Sequence, residues 1–455
     1  MKDPFAKFSP FHVDPKPIME EFNLSDEDFA QASPDEKESM VETHKSVGFW
    51  ADAFRRFKAN TVSMVALFIF IAMLVFAFLG PKLIPYGYAD QYRSSQKLAP
   101  FEYSDNELLA KSLEKKYDGF YATALLPGSL TAIKRGDYYI NNKGTIYAFT
   151  VTKAMEKVVL IVDNDAADPF IKVKEKDIDG NGNFTEYEVM EYTSAPAEGA
   201  TELKLSTKVF PHVFGTDSAG RDIMARTMYG ARVSIIIGIV AAIIVLIIGS
   251  IYGSIAGFIG GKADFIMMRI VELIYSIPEV LIVLLLQVVL KDPLQAWFDA
   301  GRSGFALAMK DLGAGIVSIF ITFAVLYWVT MARIVRGQVL QLKQQEYVTA
   351  ATALGASSGR IIRRHLLPNC VGSLVITTCL QIPSAIFLES FLSFLGLGVS
   401  APMASLGSLC SDALETITLY PYRLVFPAII LTIIVLTLNL VGDGLRDALD
   451  PRLKQ

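Results

Sequence analysis

A segment near the middle of the chain carries oxygen-bearing side chains at a spacing that suits a calcium ion. The segment runs from Asp177 to Glu188, and its places 1, 3, 5, 7, 9 and 12 are held by Asp177, Asp179, Asn181, Asn183, Thr185 and Glu188. Gly182 occupies the sixth place, where such a loop must turn sharply. Calcium prefers carboxylate, amide and main-chain oxygens. These residues therefore predict a Ca2+ site, in which Asn183 supplies its main-chain carbonyl and Glu188 both carboxylate oxygens.

The spacing of this segment resembles EF-hand-type loops, including the single loops of extracellular domains. The flanking sequence does not predict two clear helices, so a full paired EF-hand is not expected. The resemblance implies a structural staple that binds calcium with a Kd of roughly 10⁻⁴–10⁻³ M, rather than a signalling site. The alternative is a surface turn that is merely rich in Asp, Gly and Asn.

The calcium segment lies within hydrophilic residues 86–208, which are numerous enough for a small domain. Ser104 and Glu107 form a capping-box pattern before a helix predicted over Leu108–Tyr117. Short strands are predicted at Tyr138–Ile140, Thr145–Val151 and Lys157–Val162, with a turn at 141–144. We therefore predict a small α+β domain at 86–208.

Long apolar runs dominate the rest of the chain. With 455 residues, 52% of them apolar, and a mean hydropathy of +0.39, the chain is too apolar for an ordinary soluble protein. A helix of about 20 residues crosses a bilayer core. Six runs fit, namely Val62–Leu79, Ile235–Phe258, Met268–Leu290, Ile316–Ile334, Val371–Leu395 and Leu424–Val441. The predicted fold class is an all-α polytopic membrane protein of six transmembrane helices, with the α+β domain inserted between helices 1 and 2.

Basic residues orient these runs. Arg55, Arg56 and Lys58 precede the first run, so the positive-inside rule predicts a cytoplasmic N-terminus, a cytoplasmic C-terminus and an extracytoplasmic 86–208. The aromatic and basic residues of Phe49–Lys58 predict an interfacial helix, with a simple juxtamembrane linker as the alternative. The predicted domains are a cytoplasmic region at 1–60, transmembrane helix 1 at 61–85, the inserted domain at 86–208, and a membrane core at 209–455.

The polar residues within the predicted spans are few. Glu272, Pro278 and Glu389 are candidates for a path or gate through the membrane, because carboxyl groups within spans usually face a cavity or a bundle interior. A solvated or hydrogen-bonded structural role is the alternative for both glutamates. A stripe of small residues at every fourth position predicts close approach of another helix: Gly249, Gly253, Gly257 and Gly261.

The composition argues against several other classes of site. The three cysteines lie in or beside apolar runs, which indicates neither a disulfide framework nor a Cys-based zinc site. The four histidines form no cluster with metal-ligand spacing. The chain contains no Gly-x-x-x-x-Gly-Lys-Ser/Thr sequence, so we expect it to bind no ATP.

A polar, basic stretch at 344–369 separates the fourth and fifth runs. Glu346–Leu354 is rich in alanine and predicts a short helix, which Gly355 ends by adopting a positive φ. Ser357 and Ser358 are candidate caps for the next helix. Three arginines at spacing i, i+3 and i+4 share a face of it: Arg360, Arg363 and Arg364. An ordinary basic cytoplasmic loop would show the same charge.

The order of residues in this stretch resembles the EAA loop of bacterial ABC-importer permeases. The pattern is carried by Glu346, Thr349, Ala350, Ala351, Gly355, Leu367 and Pro368. The resemblance implies that these residues couple the chain to a separate ATPase subunit. It also implies the ABC type I importer fold for the six spans.

Other motifs resemble the dipeptide/oligopeptide/nickel group of these permeases, loosely at 50–85 and closely at 211–455. They are His212–Asp222, Ser276–Pro278, Phe394–Gly398, Leu406-Gly407 and Gly442–Pro451. Their order is similar to that in the C-type subunit of oligopeptide permeases. The segment His212–Asp222 is a polar turn with paired charges, and both a fold-stabilising gate and a substrate contact fit it. The inserted domain departs from smaller members of the group.

The resemblance implies a permease subunit, not an enzyme, of an ATP-driven importer of oligopeptides or dipeptides in the bacterial cytoplasmic membrane. The implied partners are a second permease in a heterodimer, two ATP-binding subunits, an extracytoplasmic peptide-binding protein and membrane lipid, without nucleic acid. Two alternatives stay open: an importer of nickel chelates or other small solutes, and a calcium-responsive receptor or adaptor on a permease scaffold.

Overall fold

The computed structural model describes residues 48–91, 95–104, 107–108, 121–123, 132–142, 145–153, 155–156, 159–163, 170–174, 188–202, 210–301, 304, 309–310, 312–399 and 403–449. The predicted calcium segment falls outside the described residues except for Glu188. The predicted helix Leu108–Tyr117 falls outside them from residue 109 onward.

The first two helices are separated by a single residue. They are α1 (Phe49–Ala59) and α2 (Thr61–Phe78), and a short 3₁₀ turn follows at Gly80–Lys82. Asn60 caps α2, because its Oδ1 accepts a hydrogen bond from the Ser63 amide at 3.2 Å. The bounds of α1 agree with the helix predicted at Phe49–Lys58, and those of α2 agree with the first predicted span.

The described part of residues 86–208 contains short strands in three sheets. The strands are β1 (Tyr121–Thr123), β2 (Ala132–Ile133), β3 (Gly136–Asn142), β4 (Thr145–Val151), β5 (Met155–Glu156), β6 (Val159–Asp163), β7 (Phe170–Lys174), β8 (Glu188–Met190) and β9 (Thr201–Glu202). The sheets have the orders β1-β6-β7-β8, β2-β5 and β4-β3-β9. Only the pairing of β9 with β3 is parallel among these strands.

The strand predictions agree with this arrangement in their main features. β4 has the predicted bounds, β3 extends on both sides of Tyr138–Ile140, and β6 begins at Val159 rather than at Lys157. Asn142 pairs with Thr145 across the hairpin. The predicted capping box is present, since the Ser104 amide donates to Glu107 Oε2 at 2.9 Å and the Glu107 amide donates to Ser104 Oγ at 3.3 Å.

The C-terminal part of the chain is helical. It contains α3 (Ile223–Ile259), α4 (Gly261–Ser276), α5 (Glu279–Asp299), α6 (Ala314–Thr322), α7 (Trp328–Leu342), α8 (Glu346–Ala353), α9 (Ser358–Ile361), α10 (Val371–Phe394), α11 (Leu406–Leu414) and α12 (Tyr422–Leu449). A π-helical turn at Phe323–Tyr327 joins α6 to α7, and another at Ile362–Leu366 follows α9. Six helical stretches of the described residues are long and apolar enough to cross a membrane: Thr61–Phe78, Ile223–Ile259, Glu279–Asp299, Ala314–Leu342, Ser358–Phe394 and Tyr422–Leu449.

The predicted third span, Met268–Leu290, is wrong in its bounds. The helix breaks at Ile277 and Pro278, and the apolar stretch that can cross a membrane begins only at Glu279. Proline lacks an amide hydrogen and disfavours helical geometry at the residue before it. Ile277 accordingly has φ −84° and ψ 137°. Glu272 therefore lies on α4, outside the span.

Helices α3 and α7 pack unusually close together along the predicted glycine stripe. A Cβ atom at Gly249 would lie 2.6 Å from Met331 Cβ, and one at Gly257 would lie 3.0 Å from a main-chain oxygen of α7. A Cβ at Gly253 would collide with the carbonyl of Ala332. Only glycine permits this approach. The fourth member, Gly261, lies beyond the end of α3 and has no such neighbour in the structure.

The apolar core extends from this contact to the stretch 344–369. Its buried members include Phe323, Met331, Val348, Ile361 and Leu366. Consequently α8 and the residues after it rest directly on the membrane helices.

Candidate functional sites

The stretch 344–369 forms two short helical segments joined at a tight glycine turn. α8 ends at Ala353, and Gly355 has φ 80°, as the sequence predicts. The Ala356 amide donates to the Ala351 carbonyl at 3.1 Å, and the Gly355 amide donates to the Thr352 carbonyl at 3.0 Å. This pair of bonds is the Schellman motif, in which glycine takes the left-handed residue.

One side of α8 is buried and the other faces away from the membrane helices. Val348 is only 2% exposed, and Ala351 and Ala356 pack against the same apolar core. Leu354, by contrast, is 88% exposed, and Tyr347 is 39% exposed. The exposed side also carries Glu346, Thr349 and Ala350. We call this exposed side of α8 the docking face.

The second half of the stretch differs in part from the prediction. Ser357 occupies the cap position of α9, but its side chain makes no capping hydrogen bond in the structure. Regular α-helix ends at Ile361 and a π-helical turn follows, so the three exposed arginines do not lie on one regular α-helical face. Leu367 packs partly buried against the core, while Pro368 is exposed in a 3₁₀ turn.

Polar contacts fix the two ends of the stretch. Asn369 Nδ2 donates to the His365 carbonyl at 2.6 Å and to the Tyr347 hydroxyl at 3.3 Å, which joins its end to the docking face. At its start, Lys343 Nζ donates to the Phe258 carbonyl at 2.5 Å, near the end of α3. The stretch is thus attached to α3 and to its own C-terminal turn.

A bidentate ion pair joins α4 to α7 beside this attachment. Arg336 Nε and Nη2 donate to the two carboxylate oxygens of Asp264 at 2.5 and 2.6 Å. These hydrogen bonds hold the pKa of the Asp264 carboxyl below its ordinary value. Sequence reasoning missed this pair, because its members lie 72 residues apart and Arg336 is also explained by the positive-inside rule.

A cavity of about 540 Å³ opens between α4, α5, α7 and α10, and another of about 560 Å³ adjoins it. Both are lined by Glu279, Tyr327 and Ser384. Glu279 was not among the predicted path residues, although Pro278 positions it by ending α4 immediately before it.

The predicted path residues do not come together. Glu272 is exposed on α4 and pairs with Arg269 at 2.6 Å. Glu389 is fully buried in α10, where it accepts hydrogen bonds at 2.7 Å from the hydroxyls of Ser234 and Ser393. Neither glutamate lines the two cavities. The geometry of Glu389 fits the hydrogen-bonded structural role, since serines of two helices satisfy its oxygens.

At the other end of α3, a buried histidine lies between two carboxylates. His212 Nδ1 is 2.7 Å from Asp222 Oδ2, and its Nε2 is 3.2 Å from Glu107 Oε1. Tyr86 stacks on the imidazole at 4.3 Å and donates its hydroxyl to Glu107 Oε1 at 2.8 Å. Asp222 also caps α3 through the Ala225 amide at 2.7 Å. The four side chains, which we call the histidine cluster, connect both ends of residues 86–208 to α3.

Electrostatics favour a protonated histidine in this cluster. Burial alone would lower the pKa of His212, but the hydrogen bond to Asp222 and the charges of Asp222 and Glu107 outweigh it and raise the pKa to about 9. Burial likewise opposes ionisation of Glu107, but His212 holds the pKa of that carboxyl below its ordinary value. The predicted polar turn is therefore built around a histidine whose protonated form its two carboxylate neighbours favour.

The same turn carries the paired charges that the sequence predicted. Asp217 Oδ2 accepts from Arg221 Nε at 2.6 Å and from Arg226 Nη1 at 2.8 Å. Arg226 also reaches Asp412 on α11 at 3.3 Å. The turn thus joins the start of α3 to α11.

Two family models match parts of this chain. Residues 249–455 match the family model of the binding-protein-dependent transport system inner membrane component, and residues 48–100 match that of the N-terminal TM domain of oligopeptide transport permease C. An amino acid ABC transporter of known structure aligns over 49% of this chain and 92% of its own, with 12% identity and a TM-score of 0.34, which is too low to support an argument.

Curated relatives are considerably more similar. The oligopeptide transport system permease protein OppC of Bacillus subtilis is 50% identical over 244 residues, which are 54% of this chain and 73% of the relative. OppC of Escherichia coli K12 is 44% identical over 241 residues, 53% of this chain and 72% of the relative. The dipeptide transport system permease protein DppC of Lactococcus lactis is 32% identical over 408 residues, 90% of this chain and 92% of the relative. That last alignment is too long to omit residues 86–208.

Six helices that are long and apolar enough to cross a membrane, together with the family matches, define an integral membrane component of a binding-protein-dependent transport system. More narrowly, the chain belongs to the dipeptide/oligopeptide/nickel family of ABC-importer permeases and is similar to its C-type subunits. Permease subunits of this kind are not themselves enzymes.

Proposed function

We propose that this chain is one of two different permease subunits of an ATP-driven importer, and that it moves oligopeptides or dipeptides across the bacterial cytoplasmic membrane. The relatives' names, which describe oligopeptide and dipeptide transport, support the peptide cargo. The proposed complex also contains a second permease, two ATP-binding subunits and an extracytoplasmic peptide-binding protein. The six helices adopt the ABC type I importer fold, and both termini lie in the cytoplasm.

The docking face is the observation that carries the coupling part of this proposal. It exposes Leu354 and Tyr347 to solvent, whereas the reverse of the same short helix rests on the core through Val348. Exposed apolar side chains on a firmly seated helix are typical of a surface that another protein covers. In this proposal an ATPase subunit covers the docking face, Gly355 sets its angle, and closure of the two ATPases displaces it.

The cavities around Glu279 are the proposed contribution of this chain to the translocation path. They border α5 and α10, on which Leu281, Leu285 and Phe387 are exposed. The second permease would cover these side chains. Backbone groups of peptides are polar, and a carboxylate with a tyrosine and a serine offers them hydrogen bonds.

A mutational test separates coupling from general damage. Glu346→Lys reverses a charge on the docking face, and Glu198→Lys makes the same change at an exposed site of the inserted region. Gly355→Pro is incompatible with φ 80°, and Gly199→Pro meets the same incompatibility at φ 84°. We expect the first member of each pair to abolish uptake of labelled peptide and peptide-dependent ATPase activity, and the second to keep both.

The readouts are uptake in a strain that lacks the native gene and the amount of variant protein in the membrane. Normal uptake by Glu346→Lys and Gly355→Pro would contradict the coupling role of the docking face. If the parent chain with its partners imported nickel chelates but no peptide, the peptide cargo would be wrong.

We also propose that the inserted residues 86–208 lie outside the cytoplasm and that a calcium ion holds their segment 177–188. The support is the complete spacing of Asp177, Asp179, Asn181, Asn183, Thr185 and Glu188. Glu188, the intended bidentate ligand, is the first residue of β8 and pairs with Val173 of β7. A bound ion would therefore fix the end of the loop to a sheet.

A further inference from the structure

A third cavity, of about 360 Å³, lies along α11 where α3 and α12 begin, at the end of the membrane helices opposite the docking face. Its lining is rich in charge: Asp217, Arg221, Arg226, Asp412, Glu415 and Arg423. The proposed path uses none of these residues. We call this space the arginine cavity.

Arg423 is the group in this cavity whose charge has no acidic partner among the described residues. It is 5% exposed, its Nε donates to the Thr216 carbonyl at 3.1 Å, and its Nη1 donates to Thr416 Oγ1 at 3.3 Å. The guanidinium lies 4.3 Å from the centre of the Tyr420 ring. Its buried Nη2 has no hydrogen-bond partner in the part of the chain that the structure describes. A buried cationic donor without an acceptor is costly, so an acceptor from elsewhere is expected there.

Arg226 provides a contrast within the same cavity. It is 6% exposed, but it pairs with the carboxylates of Asp217 and Asp412. The depth of the cavity thus holds two buried guanidinium groups and one largely buried carboxylate, that of Asp217. At the rim, Asp412 and Glu415 are exposed. The arrangement is complementary to a ligand whose inner end is anionic and whose outer end, at the rim of the cavity, is cationic.

We propose that the arginine cavity binds the C-terminal carboxylate of a peptide on the extracytoplasmic side, with Arg423 Nη2 as its donor. The inference rests on the proposed function. A guanidinium matches the planar, multiply accepting geometry of a carboxylate. The carboxylate is the group that all linear peptides share, and the cavity is near the small end of the usual range for ligands, about 300–1,000 Å³. The site therefore reads the terminus of a peptide and not its sequence.

The test uses the full chain in lipid nanodiscs, with trialanine and trialanine amide as probes and calorimetry as the readout. We expect the parent to bind the acid at least about tenfold more tightly than the amide, because a hydrogen bond to a charged group is lost with the amide. Arg423→Gln removes this preference. Arg423→Lys retains part of it, since the charge remains without the fork geometry. Arg232→Gln is the matched control, because Arg232 donates to the Ala77 carbonyl outside the cavity.

Equal binding of acid and amide by the parent would overturn the proposal, and so would an unchanged preference in Arg423→Gln; Nη2 would then bind water only. If Arg423→Gln does not fold, an unchanged preference in Arg423→Lys decides the question in the same way. Uptake of trialanine by cells is measured in parallel. Uptake without the acid preference overturns the carboxylate site alone. The acid preference without uptake overturns the peptide-importer assignment and leaves the carboxylate site standing.

Discussion

The histidine cluster predicts a stability that depends on pH in an unusual range. A histidine whose pKa is higher in the folded than in the unfolded protein stabilises the fold fully below the unfolded pKa, and this contribution disappears as the pH rises through the folded pKa. For His212 these limits are 6.5 and about 9. At about 1.4 kcal/mol per unit, the difference corresponds to about 3 kcal/mol of unfolding free energy. The side chain is fully buried, so solvent screening does not reduce it.

The measurement is thermal unfolding of the full chain in nanodiscs at pH values from 6 to 10. The parent should lose stability between neutral pH and pH 10. His212→Gln should be less stable than the parent at pH 7, because Glu107 and Asp222 remain buried without a cation, a situation that typically costs about 3–5 kcal/mol. The variant should also lose most of the pH dependence in this window. On the acid side, stability should fall again when Glu107 is protonated, since its folded pKa is lowered.

His365→Gln serves as the control, since it removes a histidine from the stretch 344–369 and leaves the histidine cluster intact. Its stability curve against pH should run parallel to that of the parent between pH 7 and 10. The reasoning is refuted if the stability curve of His212→Gln against pH is parallel to that of the parent, as the curve of the control is expected to be. Hydrogen exchange of the Ala225 amide, which Asp222 caps, gives a local readout of the same event.

Two further predictions concern packing and metal binding. Gly253→Ala should destabilise the protein by about 1–3 kcal/mol in a thermal unfolding assay and lower uptake, because the added methyl group meets the backbone of α7. Gly337→Ala is the control. Its methyl group meets nothing within 4 Å, so this variant should be neutral or slightly stabilising in the same assay. Asp177→Ala combined with Glu188→Ala should lower Tm relative to the parent only when calcium is present; equal Tm values for mutant and parent in calcium would remove the metal from the proposal.

The sequence predicts the elements of this fold better than their breaks. Apolar runs locate five of the six spans, because a bilayer demands a long apolar stretch whatever its neighbours are. The prediction of the third span failed at Pro278, because the run stays apolar although the helix breaks there. The apolar composition of a run does not reveal such a break. The proline itself indicates it, because proline lacks a backbone amide hydrogen. The glycine stripe and the turn at Gly355 were predictable, since each depends on a local property of glycine.

The candidate sites were less predictable wherever they depend on distant pairs. His212 meets Glu107 only because the ends of the inserted segment converge on α3, and no local spacing encodes that convergence. The same holds for Arg336 with Asp264 and for Arg423, whose unpartnered atom is visible only once its described neighbours are placed. Glu389 illustrates the converse: the sequence placed a carboxyl group within a span and left its role open, but it did not reveal the serines that satisfy it.

Helix α3 makes such contacts at both of its ends, and that has a mechanical consequence. Its 37 residues extend for about 55 Å, well beyond the bilayer core of about 30 Å. At one end of α3, the Phe258 carbonyl accepts a hydrogen bond from Lys343, which precedes the docking face. At the other end, Asp222 of the histidine cluster caps the helix. Between them, Gly249, Gly253 and Gly257 bring α3 close against α7. A displacement of the docking face should therefore tilt α3 as a rod and change the arginine cavity at its far end.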